Sequence, residues 1–335
     1  MRLRPVIALI GMAMVLCASA SFAGQIEPRH DRTITKPLQA GIRSVIVQVD
    51  SGFVKVASGR AAVLTAHQSW DNNEPSLDVS IKNGVLKIVA DCKENQPILG
   101  VVVVSGFNNC TQDLTLTLPT NVDLDINAQY GAVSVAKVSG VIKLVSGNGD
   151  VHVSEVHGRS LDAHSYYGQV QADHVVASKV SLHSDNGDVG ASTVTSSTMT
   201  VESSYGSLTA ERIHSDSLAL RADNGQVGLD SLSTNTLEVN AGYGVVTGKA
   251  LHAAKLTVSD KNGDVDIATL TAPTSATISS NYGNVALSVP SGRYAVSATT
   301  DYGKVTLEGL TVDRRAGRYL DVHSDNGDVT VSGSR

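Results

Sequence analysis

A dipeptide ending in glycine recurs along the chain, and its first member alternates. Tyr130-Gly131, Asn148-Gly149, Tyr167-Gly168, Asn186-Gly187, Tyr205-Gly206, Asn224-Gly225, Tyr243-Gly244 and Asn262-Gly263 follow one another, and Tyr282-Gly283, Tyr302-Gly303 and Asn326-Gly327 continue the row. From Gly149 to Gly263 every step is 19 residues. A fixed period of this size marks a stacked repeat architecture. Within each unit aliphatic residues are spaced by two, as in Val151/Val153, Leu161/Ala163 and Val170/Ala172, which is the period of a strand with one face buried. A further aliphatic (Val156, Val175, Val194, Ile213) lies five residues after the first, and a small residue (Ser146, Ser165, Ser184, Ser203) closes the unit.

One such unit cannot bury its apolar edge alone. Stacking on neighbours at about 4.8 Å closes the core and satisfies the backbone. The expected fold is therefore all-β: a single-stranded parallel β-solenoid with 19-residue coils. By the default handedness of parallel crossovers it is a right-handed β-helix. The pattern predicts strands of three to five residues, with a bend at the third aliphatic position. Glycine is expected at the turns because it accepts positive φ, and Asn because it tolerates the left-handed region. The alternation is expected to let each large Tyr ring pack over the smaller Asn turn beside it.

Three segments follow. Residues 1–23 read as a signal peptide: Arg2 and Arg4, an apolar run from Val6 to Ala18, and Ser21-Phe22-Ala23 as an A-x-A-like cleavage site. Cys17 raises lipoprotein processing, but Leu16 stands where a small residue is needed, which favours ordinary cleavage. Residues 24–128 show strand alternation without the 19-residue clock and read as an irregular N-terminal β cap, covering an edge that would otherwise aggregate. Residues 129–335 are the regular repeats; after Gly263 the period stretches, and no C-terminal cap is evident.

Without Arg2 and Arg4 the exported chain has 24 basic and 32 acidic residues, so its formal charge moves from −6 to −8. That argues against nucleic acid as a partner, and no later stretch is apolar enough to span a membrane. In an oxidising compartment Cys92 and Cys110 are expected to pair, the alternative being two free thiols. The segment Leu114 to Pro119, then Val122-Asp123-Leu124-Asp125-Ile126, then units such as Gly149-Asp150-Val151-His152-Val153 and Gly327-Asp328-Val329-Thr330-Val331 resemble the DUF4097 family of exported bacterial proteins. The resemblance implies a β-helical fold and an adhesin-like role. It supplies no catalytic residues, because none are established for that family.

Candidate chemistry is sparse. Asp150, Asp188, Asp264 and Asp328, with Asp185, Asp223 and Asp325, line the turns. Equivalent carboxylates two coils apart are about 9.6 Å from each other, too far to share a calcium ion, so solvated turn acids are expected. The weak metal candidates are His164, His183 and Glu202, in one outward row. A straight ladder does not converge its members on one ion, so no metal and no cofactor are expected. Asp162, Glu202 and Glu238 share a face, but spacings of roughly 12 Å or more disfavour glycoside hydrolysis.

A non-enzymatic surface or envelope module is therefore expected, periplasmic or extracellular. The alternatives are a polysaccharide-binding or polysaccharide-processing β-helix protein and a periplasmic partner in envelope stress signalling. Its partner would be an envelope or extracellular glycan or protein. If their rings were exposed, Tyr130, Tyr167, Tyr205, Tyr243 and Tyr282 would form an aromatic strip repeating near 9.6 Å, suited to a linear glycan.

Overall fold

The computed structural model describes residues 29–71, 73–92 and 109–334. The signal-peptide segment lies outside them. The described residues contain strands and no helix, hence none that could cross a membrane as a helix.

The centre is a run of six parallel strands, Val151–Tyr167, Val170–Asn186, Val189–Tyr205, Leu208–Asn224, Val227–Tyr243 and Val246–Asn262. Each pairs with the next at an offset of 19 residues, so Val151 faces Val170, Leu161 faces Val180 and Ser165 faces Ser184. The expected ladders form: Val151, Val170, Val189, Leu208, Val227 and Val246 are all buried in one column. This is a parallel β-solenoid.

Two local expectations are corrected. The strands run 17 residues rather than three to five, because hydrogen bonding to both neighbours continues through the bend. The bend is centred one residue before the third aliphatic. Glu155, His174, Thr193, Arg212, Ser231 and Ala250 all take positive φ there, between 49° and 57°. A column of side-chain-bearing residues thus turns in the left-handed region, a conformation disfavoured for Thr above all. The flanking ladders hold it in place on both sides.

Both ends depart from chain order. The strands Ser44–Ser51 and Val54–Ser58 already form a solenoid coil, in register with Asp123–Tyr130 and Val133–Ala136. They are covered in turn by Val85–Asp91 and Thr111–Leu118, which come later in the chain. Antiparallel strands Val63–Trp70, His30–Pro37 and Ser76–Lys82 finish this end. Cys92 and Cys110 are disulfide-bonded, and the buried amides of Gln68 and Gln112 bond each other and the carbonyls of Ser76 and Asp91.

At the other end, Tyr319–Asn326 and Val329–Ser334 are not the last layer. They lie between Ser275–Tyr282 with Val285–Pro290 on one side and Arg293–Tyr302 with Val305–Glu308 on the other. The outermost coil is thus formed by residues 293–312, which precede the inserted layer in the chain. Tyr294 pins it: the ring is buried, its hydroxyl donates to the Pro290 carbonyl, and Arg318 lies over the ring at 4.1 Å. Val305, Leu307 and Val312 of that coil remain exposed.

Candidate functional site

The Tyr/Asn turns form one edge of the solenoid, and the register gives their order in space. Tyr130 neighbours Asn148, then follow Tyr167, Asn186, Tyr205, Asn224, Tyr243, Asn262 and Tyr282. Tyr282 is followed by Asn326, and Asn326 by Tyr302. In sequence the alternation fails at Tyr282 and Tyr302; in space it does not fail at all.

Hydrogen bonding explains the rule. Asn186-Gly187-Asp188 and Asn326-Gly327-Asp328 bind the Tyr turns on both sides, Asp150 and Asp264 bind one neighbour each, and Asn224-Gly225-Gln226, which has no Asp, binds one through its Asn. Toward one neighbour the Asn amide donates to the carbonyl before the Tyr: Asn186 to Tyr166 at 3.2 Å, Asn224 to Ser204 at 3.3 Å and Asn326 to Asn281 at 3.4 Å. Toward the other neighbour the Asp carboxylate accepts the N–H following the Tyr-Gly pair. Asp150 accepts from Gln169, Asp188 from Ser207, Asp264 from Asn284 and Asp328 from Lys304, all at 2.7 to 2.8 Å. Asp150, Asp188, Asp264 and Asp328 are thus exposed to solvent, as expected, and also fasten one coil to the next. The structural unit is a pair of coils, one whose turn makes the bonds and one whose turn presents a ring.

The turn glycines are required by close approach, and at Gly131, Gly225, Gly244 and Gly283 by a positive φ of 139° to 158° as well. A Cβ on Gly168, Gly187 or Gly206 would sit 2.2 to 2.4 Å from the carbonyl oxygen of the glycine one coil below. The Asn turn residues are absent from the left-handed region. The closing small residue also acts here. Ser165, Ser184 and Ser203 are buried and donate to the carbonyls of Gly149, Gly168 and Gly187 at 2.8 to 3.0 Å. Asp260 occupies that column between Ala241 and Ser280, is 1% exposed, and leaves Oδ2 without a partner. Burial pushes its carboxyl up to about 6.

The Tyr rings do not lie covered over the neighbouring turns. Tyr130, Tyr167, Tyr205, Tyr243, Tyr282 and Tyr302 are 54 to 78% exposed. The packing expectation overlooked that the Asn turn's own bonds already fasten the coils, leaving the ring no structural duty. Successive rings stand two strands apart, about 9.6 Å.

The histidine row also differs from its expected form. His164 and His183 are register partners whose rings meet edge-on at 4.5 Å. The group that joins them is Asp185, on the same face two residues after His183. Its Oδ1 is 2.6 Å from His183 Nε2 and 3.7 Å from His164 Nε2. Glu202 stands behind His183, with Oε2 3.4 Å from Nδ1. Arg221 pairs with Asp223 in its own strand at 2.8 Å, not with Glu202. Burial holds the His164 imidazole below its ordinary pKa, and His183 acts in the same direction. Asp185 was legible as a turn acid, but its convergence with a second column was not, because only rotamers bring the columns together. The acids weighed for hydrolysis stay separate: Glu238 accepts from Asn240, and Glu202 faces His183.

These features define a parallel β-solenoid repeat protein with one aromatic edge. The model of the Toastrack DUF4097 family matches residues 42–215 and 191–332, and the chain belongs to that family. Among solved structures it is similar to a protein described as a "putative adhesin" from Parabacteroides distasonis ATCC 8503, at 12% identity and a TM-score of 0.42, covering 91% of this chain and 97% of that one. It is also similar to another so described from Bacteroides fragilis NCTC 9343, at 12% identity and a TM-score of 0.32 with the same coverage. A third, described as a "putative lipid binding protein", is also from Parabacteroides distasonis ATCC 8503, at 11% identity and a TM-score of 0.38, covering 89% and 96%. No curated protein matches the chain.

Proposed function

We propose that this protein is an exported, non-enzymatic binding module of the envelope or cell surface, and that its tyrosine edge is the binding surface. The observation that carries the reading is the line of six exposed rings, Tyr130, Tyr167, Tyr205, Tyr243, Tyr282 and Tyr302. Aromatic rings held on a rigid scaffold offer large contact area at little cost in conformational entropy. Their repeat of about 9.6 Å approximates a disaccharide step, so a linear glycan is the ligand class that fits. The Asn-Gly-Asp turns between them add polar groups at every other step. The non-enzymatic reading is supported by Glu202 and Glu238, each bonded to a neighbouring residue rather than facing another acid across a groove.

The test is binding of the full chain to a glycan array and to isolated cell-wall material. Replacing both Tyr167 and Tyr205 by Ala is expected to reduce binding to a linear polysaccharide at least tenfold, since each stacking contact contributes on the order of 1 kcal/mol. Binding that survives the double substitution unchanged sinks the strip as the site.

A further inference from the structure

The histidine cluster carries more than a surface role. We propose that His164, His183 and Asp185 form a binding site for one divalent transition-metal ion, with His164 Nε2, His183 Nε2 and a carboxylate oxygen of Asp185 as its ligands.

The donor atoms lie within 4.8 Å of one another. Tetrahedral zinc, with bonds of about 2.0–2.1 Å, sets its donors about 3.3 Å apart. The observed 3.7 Å from His164 to Asp185 and 2.6 Å from His183 to Asp185 bracket that value. Side-chain rotations of under about 1 Å would equalise them around an ion. Two imidazoles and one carboxylate suit zinc, copper, nickel or cobalt rather than calcium or magnesium. The three side chains are partly exposed, at 25 to 36%.

Two observations separate this cluster from an ordinary His–Asp ion pair. First, His164 Nε2 is buried and has no hydrogen-bond partner, although it points toward the carboxylate. An ion pair between His183 and Asp185 leaves that nitrogen unsatisfied, whereas a shared ion satisfies it. Second, Glu202 Oε2 stands 3.4 Å from the far nitrogen of His183. A carboxylate in that place is how metal-binding histidines are commonly oriented, with the proton held on the nitrogen away from the ion. Tyr166 closes one flank, its ring 4.4 Å from that of His164.

The chain contains its own control. His183-Ser184-Asp185-Asn186-Gly187-Asp188-Val189 recurs residue for residue as His323-Ser324-Asp325-Asn326-Gly327-Asp328-Val329. The same pair forms there, His323 Nε2 to Asp325 Oδ1 at 2.7 Å. The coils on either side present Ser279 and Thr299 where the first copy has His164. The second copy therefore has two donors and not three.

The experiment is calorimetric titration of tag-free, chelator-treated full chain with zinc chloride, with the visible spectrum of the cobalt-loaded protein as a second readout. One ion per chain is expected, with a tetrahedral cobalt spectrum. His164→Ala and, more conservatively, His164→Gln should each weaken zinc binding at least tenfold. Glu202→Gln should weaken it by about 10–100-fold, and His323→Ala should leave it unchanged. Circular dichroism of each variant verifies its fold. Absence of zinc binding by the unaltered chain, binding indifferent to both His164 substitutions, or equal loss in His323→Ala would each overturn the proposal.

Discussion

In the six central coils, chain order and stacking order coincide, and each strand lies between its predecessor and its successor. At the ends they do not. Residues 319–334 lie inside the outermost coil, and residues 44–58 lie inside strands that follow them in the chain. The turn rule survives this rearrangement, since Asn326 is placed between Tyr282 and Tyr302 with the same amide and carboxylate bonds as in the centre. The alternation is thus a property of neighbours in space and not of succession along the chain. Residues 44–58 and 319–334 are thereby bonded on two sides instead of one, whereas His30–Pro37 pairs on one side only.

Removing the inserted layer is expected to have the largest effect. Deleting residues 319–334 takes out Leu320, Val322, Val329 and Val331, all fully buried, each contributing about 1.5–3 kcal/mol. The outermost coil should lose its amide-exchange protection while the central coils keep theirs. Were the layer only a peripheral end coil, exchange at 293–312 would be unaffected.

Asp260, at the junction between the central coils and the C-terminal part, is expected to give the next largest effect. Burial raises its pKa from 3.8 to about 6, so the folded state holds the proton more tightly than the unfolded state. The stability this contributes is fully present below the unfolded value and is lost as pH rises through the folded one. The shift corresponds to roughly 3 kcal/mol at most. Asp260→Ser, which restores the hydroxyl found in this column elsewhere, should raise the Tm at pH 7.5 and raise it much less at pH 4. Equal gains at both values would contradict the burial account.

A smaller effect contrasts glycines of the two regions. Gly206→Ala places a Cβ 2.2 Å from the Gly187 carbonyl oxygen, whereas Gly317 has open space around it. Chemical denaturation should show a loss of roughly 1–3 kcal/mol for the first and under about 0.5 kcal/mol for Gly317→Ala. The smallest effect is expected of the rings. Tyr205→Ala and Tyr302→Ala should each change stability by about 1 kcal/mol or less, as their rings are mostly in water. A loss of several kcal/mol would return the row to a packing role.

Much of this was legible in the residues. Period, strand spacing and the Val, Leu and Ser columns follow from side-chain alternation, which is local. The bend position was not, because it is made by Glu155, His174 and Thr193 in a conformation their types disfavour, imposed by hydrogen bonds to both neighbouring coils. Nor was ring exposure, since it depends on the Asn and Asp bonds between coils. The threading of the ends did leave a trace: two successive Tyr turns, 282 and 302, break the alternation, and inserting Asn326 between them repairs it. The histidine–carboxylate cluster was half visible. A ladder places His164, His183 and Glu202 in one line, but convergence requires the neighbouring column that holds Asp185.

The stacking rule is tested most directly by cysteine pairs at the C-terminal end. Thr277 is the register partner of Asp321, and Asp321 is that of Ser297. Thr277 and Ser297 are then two strands apart, about 9.6 Å, beyond the reach of a disulfide. Under mild diamide oxidation, Thr277→Cys with Asp321→Cys and Asp321→Cys with Ser297→Cys should cross-link, while Thr277→Cys with Ser297→Cys should not. Efficient cross-linking of that last pair, with none between positions 277 and 321, would mean that the coils stack in chain order and that the alternation is not a rule of space.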